Sequence, residues 1–132
     1  MTTTTLLANA QVITGLDDDP IPSGSVLVQD GLVRAVGPGV EAPGDAVVID
    51  CTGKTVLPGL VDCHEHLLGR SRYAEGTGDV DEPDATWAVV VAHHARRCLD
   101  QGITTVRVPG SRHGIDLAVR RAVDEGFLVA PR

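Results

Sequence analysis

Apolar and polar residues change their spacing part-way along the chain, and the change divides it in two. Up to residue 56 the apolar residues come in short runs separated by turn formers. Leu6-Leu7 and Val12-Ile13 are apolar pairs broken by small and polar residues. Residues 25–29 (Ser-Val-Leu-Val-Gln) and 32–36 (Leu-Val-Arg-Ala-Val) flank Asp30-Gly31. An Asp-Gly pair between two β-rich runs is the strongest short-range hairpin signal, because both turn residues need φ > 0. Residues 17–20 (Asp-Asp-Asp-Pro) read as a solvated acidic turn, and Pro38, Gly39, Pro43 and Gly44 punctuate a loop. A short strand at 47–50 and a turn at Thr52-Gly53-Lys54 complete this half.

From residue 56 the period lengthens. Residues 56–63 form an apolar run suited to a buried strand, and 68–83 a long polar loop. Residues 84–99 predict a helix, with Asp84 as N-cap and Gly102 just past its end. Its apolar face carries Trp87, Val90, Val91 and Leu99 with Ala88, Ala92 and Ala95. Residues 103–108 predict a β-branched strand, 115–125 a second helix with Gly126 at C′, and 127–129 a third strand. Strand alternating with helix is the pattern of parallel βα units. A (β/α)8 barrel needs about 250 residues, roughly 31 per unit. The 75 residues after Leu57 amount to about two and a half units. The expected fold class is therefore α/β: part of a small β-sandwich over 1–56, followed over 57–132 by the first two to three βα units of an incomplete TIM-type barrel. On that reading the chain stops inside a strand, and an apolar sheet edge is left open.

Composition narrows the function classes. The 132 residues carry a formal net charge of −7, with 42% hydrophobic and 22% charged residues, as in ordinary globular proteins. Nucleic-acid binding needs clustered Lys and Arg, which this balance opposes, and Tyr73, Trp87 and Phe127 are too few for base stacking. No apolar run approaches the roughly 20 residues of a membrane helix, and the N-terminus lacks the basic start of a secretory signal. Cys51, Cys63 and Cys98 are odd in number and widely spaced, so reduced thiols and a cytoplasmic setting are expected.

The candidate chemistry lies at His64-Glu65-His66, directly after the apolar run. Side chains two apart on a strand point to the same face, so both imidazoles are expected on one side. Imidazole is a common ligand for zinc and other borderline divalent ions, but catalytic zinc takes three protein ligands. Two His at a strand end can equally be plain polar residues. Active-site residues of βα barrels lie at the C-terminal ends of the strands, which favours the ligand reading.

The run Val56-Leu57-Pro58-Gly59-Leu60-Val61-Asp62-Cys63-His64-Glu65-His66-Leu67 resembles the entry segment of the metal-dependent amidohydrolase superfamily. The upstream segments around Asp30-Gly31 and Ile49-Asp50-x-x-Gly53-Lys54 are similar to the small sandwich strands that precede the barrel there. Gly102-Ile103-Thr104-Thr105-Val106-Arg107 resembles the second barrel unit of the imidazolonepropionase and Xaa-Pro dipeptidase-like branch, although Val108 stands where that branch usually has Asp. The resemblance covers about the first third of a family member. It implies a hydrolase acting on carbon–nitrogen bonds of small-molecule amides or cyclic amides. His64 and His66 would hold a divalent metal, zinc being expected. The other ligands and the general base would come from sequence not present in this chain. Two alternatives stand beside it: a catalytically inactive truncated fragment or a subunit needing a complementing polypeptide, and a simple metal-binding module.

Other polar residues carry weaker expectations. Arg107 on the second strand and Arg112 and His113 in the following loop are candidates for a substrate carboxylate, with a structural ion pair as the alternative. Of His93 and His94, one is expected to face solvent and the other a packing surface. Cys63 is expected to point away from His64 as a small buried hydrophobe. The 68–83 loop is long for a βα connection and suits either a substrate lid or an acidic insertion.

Overall fold

A computed structural model describes residues 3–16, 19–68 and 83–132. The acidic turn expected at 17–20 falls partly, and the long loop expected at 68–83 mostly, outside the described residues. The chain separates into two compact units, Met1–Pro58 and Gly59–Arg132.

The first unit is one five-stranded sheet built around its first strand. β1 (Thr4–Val12) pairs antiparallel with β2 (Ile21–Gln29), which pairs antiparallel with β3 (Leu32–Gly37). On its other edge β1 pairs parallel with β4 (Val47–Asp50) and then β5 (Thr55–Val56). The β2–β3 turn takes the shape its sequence demands, with φ of 52° at Asp30 and 74° at Gly31. The two apolar pairs expected at Leu6-Leu7 and Val12-Ile13 belong to one continuous strand. Burial alternates along it at Thr4, Leu6, Ala8, Ala10 and Val12. A register shift between Leu7 and Ala10, with Asn9 at φ 61°, is the bulge that hid the continuity. Ala10, Val12, Val26 and Cys51 form the buried cluster, with Leu7, Ile21, Val28 and Val56 packed on it.

The second unit alternates strand and helix. β6 (Leu60–Asp62) and β7 (Ile103–Val106) pair in parallel, and α1 (Asp84–Asp100) and α2 (Ile115–Asp124) accompany them. Trp87, Val91 and Ala95 recur every four residues on α1 and are buried with Leu67, Ile115 and Val119. Asp84 lies in the first turn of α1, and Pro83 takes the N-cap position expected for Asp84. The helix ends near Gly102 at φ 85°, as predicted. α2 closes in a Schellman motif: Phe127 N–H donates to the Ala122 carbonyl (2.8 Å) and Gly126 N–H to the Val123 carbonyl (3.0 Å), with Gly126 at φ 80°.

Two strand expectations are corrected. The apolar run at 56–63 is not one buried strand. It is split by Pro58-Gly59 into β5 of the first unit and β6 of the second, and Leu57, Leu60 and Val61 are exposed. Gly59 is required at the split, because a Cβ there would fall inside the Thr104 side chain of β7. Residues 127–129 form no strand; besides β6, β7 is bonded by Arg132, whose N–H donates to the Thr104 carbonyl (2.9 Å) and whose carbonyl accepts from Val106 N–H (2.8 Å). The Schellman turn takes up the residues that would otherwise start the strand. Among the described residues no helix is long and apolar enough to cross a membrane.

Candidate metal centre

Three fastenings shape the turn that follows β6. The Asp62 carboxylate folds back, its Oδ1 accepting the His64 N–H at 2.9 Å, as Asp does in tight turns. The parallel ladder also runs past the strand ends. Arg107 N–H donates to the Asp62 carbonyl (2.8 Å), and Glu65 N–H donates to the Arg107 carbonyl (3.1 Å). Finally, the Leu67 side chain is buried in the apolar cluster of the unit.

Between these fastenings the His64 and His66 rings converge. Their Nε2 atoms lie 3.2 Å apart, with ring centroids at 5.1 Å and planes at 64°. Both residues are exposed. They lie beyond the last residue of β6, so a bend fastened by Asp62, and not the strand pleat, brings the two rings together. Two nitrogen ligands at tetrahedral positions around zinc, with bonds of about 2.0–2.1 Å, sit about 3.3–3.4 Å apart. The observed separation is close to that edge, and it is also within reach of a hydrogen bond between the two ring nitrogens. Among the described residues no group of three or more His, Cys, Asp or Glu is placed to hold a metal ion.

The remaining candidates lie on other elements of the unit. Arg112 and His113 both meet Asp84 of α1, Nε at 3.3 Å and Nδ1 at 2.9 Å from its carboxylate oxygens. Asp84, read from sequence as a cap, thus gathers two of the three residues considered for a substrate carboxylate. His113 sits at φ 51°, in the left-handed region that Asn, Asp and His enter more readily than other non-glycine residues. Arg107 is exposed and borders a cavity of about 290 Å³ lined also by Val108, Asp116, Arg120 and Pro131. The His pair on α1 divides as expected. His93 is exposed, whereas His94 is half-buried, and its Nδ1–H donates to the Leu67 carbonyl at 2.7 Å.

Cys63 is exposed, contrary to the buried position expected for it; with β6 ended at Asp62, it falls in the bend and not on a packed strand face. Cys98 is half-buried, and its thiol is held above its ordinary range by burial first, then by the negative charges of Glu65 and Asp62. Glu65, His66, His94, Arg97, Cys98 and Gln101 line a second cavity of about 200 Å³. Sequence reasoning missed two contributors, Asp62 as the brace of the bend and His94 as a tie to it. The Asp-x-His spacing was a usable signal for the first; a mid-helix His gave none for the second.

The family model described as the amidohydrolase family matches residues 55–132. An imidazolonepropionase of Methylobacterium nodulans is 34% identical, over 86% of this chain and 36% of its own length. A crystal structure of a Xaa-Pro dipeptidase with methionine bound in its active site superposes with a TM-score of 0.85 at 26% identity, over 98% of this chain and 32% of that one. The structure of phenylurea hydrolase B gives 0.81 at 28% identity, over 98% of this chain and 29% of that one. The chain thus spans about a third of the length of these relatives.

Proposed function

The chain belongs to the amidohydrolase family, and we propose that it contributes the His64–His66 arm of a divalent metal site in a hydrolase acting on carbon–nitrogen bonds. The observation that carries this reading is the 3.2 Å separation of the two Nε2 atoms. The donor set suits zinc, since neutral imidazole nitrogens are among its common ligands. Bound there, such an ion supplies the Lewis acidity that activates water at neutral pH and polarises a carbonyl. The chain's own part is positional. Asp62 holds the bend, Leu67 anchors its far end, and the two imidazoles present their nitrogens from a turn that is already folded.

The substrate class we propose is a small-molecule amide or cyclic amide, in keeping with relatives named for imidazolonepropionate and Xaa-Pro dipeptides. Arg107, exposed beside a cavity, is the first candidate for a substrate carboxylate. Arg112 and His113 are already engaged with Asp84. We further propose that Met1–Pro58 forms part of a β-sandwich and Gly59–Arg132 the opening of a (β/α)8 barrel. The one-third coverage favours a second reading alongside the first. The remaining ligands and the general base belong to further polypeptide, and this stretch by itself is inactive.

The test is zinc titration of the chain and of His64→Ala and His66→Ala, followed by calorimetry. Weak binding to the chain and its loss in both variants is the expected result. Binding undiminished in both variants would overturn the ligand assignment. Amide hydrolysis by the chain alone would overturn the second reading.

A further inference from the structure

We propose that His94 is a positioning residue for the His64–His66 pair, acting through the Leu67 carbonyl; this rests on the metal-site reading given above. The Leu67 carbonyl lies one residue beyond His66, outside any ladder, where a partly buried acceptor needs a donor. The bond to it is short, 2.7 Å, and a carbonyl can only accept, so His94 Nδ1 carries the proton. Leu67 is therefore held twice, its side chain by the cluster of Trp87, Val91 and Ala95 and its carbonyl by the helix that supplies them. Asp62 and the Arg107 ladder fix the near end of the bend, and His94 fixes the far end.

The surroundings give this tie a purpose. His66 and His94 border the same cavity of about 200 Å³, with Glu65, Cys98 and Gln101. Untied, the exposed His66 turn has open space to move into, and its Nε2 would leave the position that matches a tetrahedral edge. Groups that hydrogen-bond a metal ligand directly change metal affinity typically about 10- to 100-fold when removed, and His94 acts one residue further away, so an effect at the lower end is expected. His93, the adjacent exposed residue of the same type, provides an internal control.

The experiment titrates zinc alone into the 132-residue chain, with calorimetry and nitrogen-15 NMR of the histidine rings. His94→Leu removes the donor while keeping bulk, and His94→Asn restores it, because Asn Nδ2 and His Nδ1 occupy the same position after Cγ. We expect His94→Leu to bind zinc about 10-fold more weakly. His94→Asn should come within a few-fold of the parent, and His93→Leu should match it. Wild-type affinity in His94→Leu, or equal loss in His94→Leu and His94→Asn, would overturn the proposal. Should His94→Leu not fold, the parent chain decides. His94 should show a single Nδ1–H tautomer with slow proton exchange, and a mixed tautomer exchanging as fast as His93 would overturn the tie. His64→Ala separates the two levels. If it abolishes zinc binding while His94→Leu is silent, only the positioning role fails; if it binds like the parent, the metal site fails and this inference with it.

Discussion

The two units solve the same problem, pairing short strands, with different kinds of information. In the first, the antiparallel pairs β1–β2 and β2–β3 join strands that follow one another in sequence, and only β4 and β5 return from further along the chain to pair with β1. β2 and β3 are joined by two residues, Asp30 and Gly31, whose preference for positive φ sets the turn before any distant contact forms. In the second, β6 and β7 pair in parallel although Asp62 and Ile103 are far apart in sequence, and no local turn specifies their register. That register is instead set by fit: Gly59 leaves the space that Thr104 fills. A local signal survives small changes around it, whereas a fit between distant residues fails at one atom. Closing a long loop also has to precede the contacts that reward it.

Gly59→Ala should break this contrast most sharply. The added methyl overlaps Thr104, and overpacking of this kind costs about 1–3 kcal/mol. Hydrogen exchange should show amides of β6 and β7 losing protection while those of β1 keep theirs; equal loss in both units would mean that they do not stand apart in stability. Gly31→Ala is the matching change in the first unit. It forces a Cβ into the left-handed region at φ 74°, at a cost of roughly 1–2 kcal/mol, and there is free space around it. The unfolding midpoint should fall modestly with the β2–β3 pairing intact, and loss of the β2–β3 nuclear Overhauser contacts would show that the turn dictates more than expected.

The smallest effect concerns acid. Asp50 is held below its ordinary 3.8 by hydrogen bonds from the Thr52 side chain, then from Asn9 and the Thr52 N–H. A carboxyl depressed in the folded state stabilises fully above its unfolded value and loses that contribution as pH falls through its folded value. The loss should therefore appear below about pH 3.8. It should be slight, because the group is exposed, and absent in Asp50→Asn, with an acid titration of unfolding as the measurement.

The same contrast explains what could be read in advance. The Asp30-Gly31 hairpin, both helices, and Gly102 and Gly126 at their ends follow from local preferences, and each was legible. So was the stripe of Trp87, Val91 and Ala95, because helical spacing is a property of the segment alone. The break at Pro58-Gly59 was written in the sequence as Pro and Gly inside an apolar run, a combination that argues against a continuous strand. Arg132 in the place of a third strand was not legible, since only the Schellman turn after α2 shows how the chain reaches β7. At the site, the closeness of His64 and His66 followed from their spacing. Its cause did not, because the bend depends on Asp62 and on Arg107, which comes from another strand.

The bulge in β1 has a consequence for how that strand is kept from slipping. Two of its inward side chains are the alanines Ala8 and Ala10, which offer little shape for a neighbour to recognise. A strand with such a smooth inner face could slide by two residues and still point apolar groups inward. Asn9 prevents this as a tooth prevents a rack from sliding. Its Nδ2–H donates to Asp50 Oδ1 at 3.1 Å, and the same oxygen accepts the Thr52 hydroxyl at 2.7 Å. Any shifted alignment would take the tooth out of its notch and strand the left-handed residue within a regular ladder. One polar side chain thus ties β1 to the end of its parallel neighbour β4, at the residue whose positive φ marks the shift in its antiparallel pairing with β2.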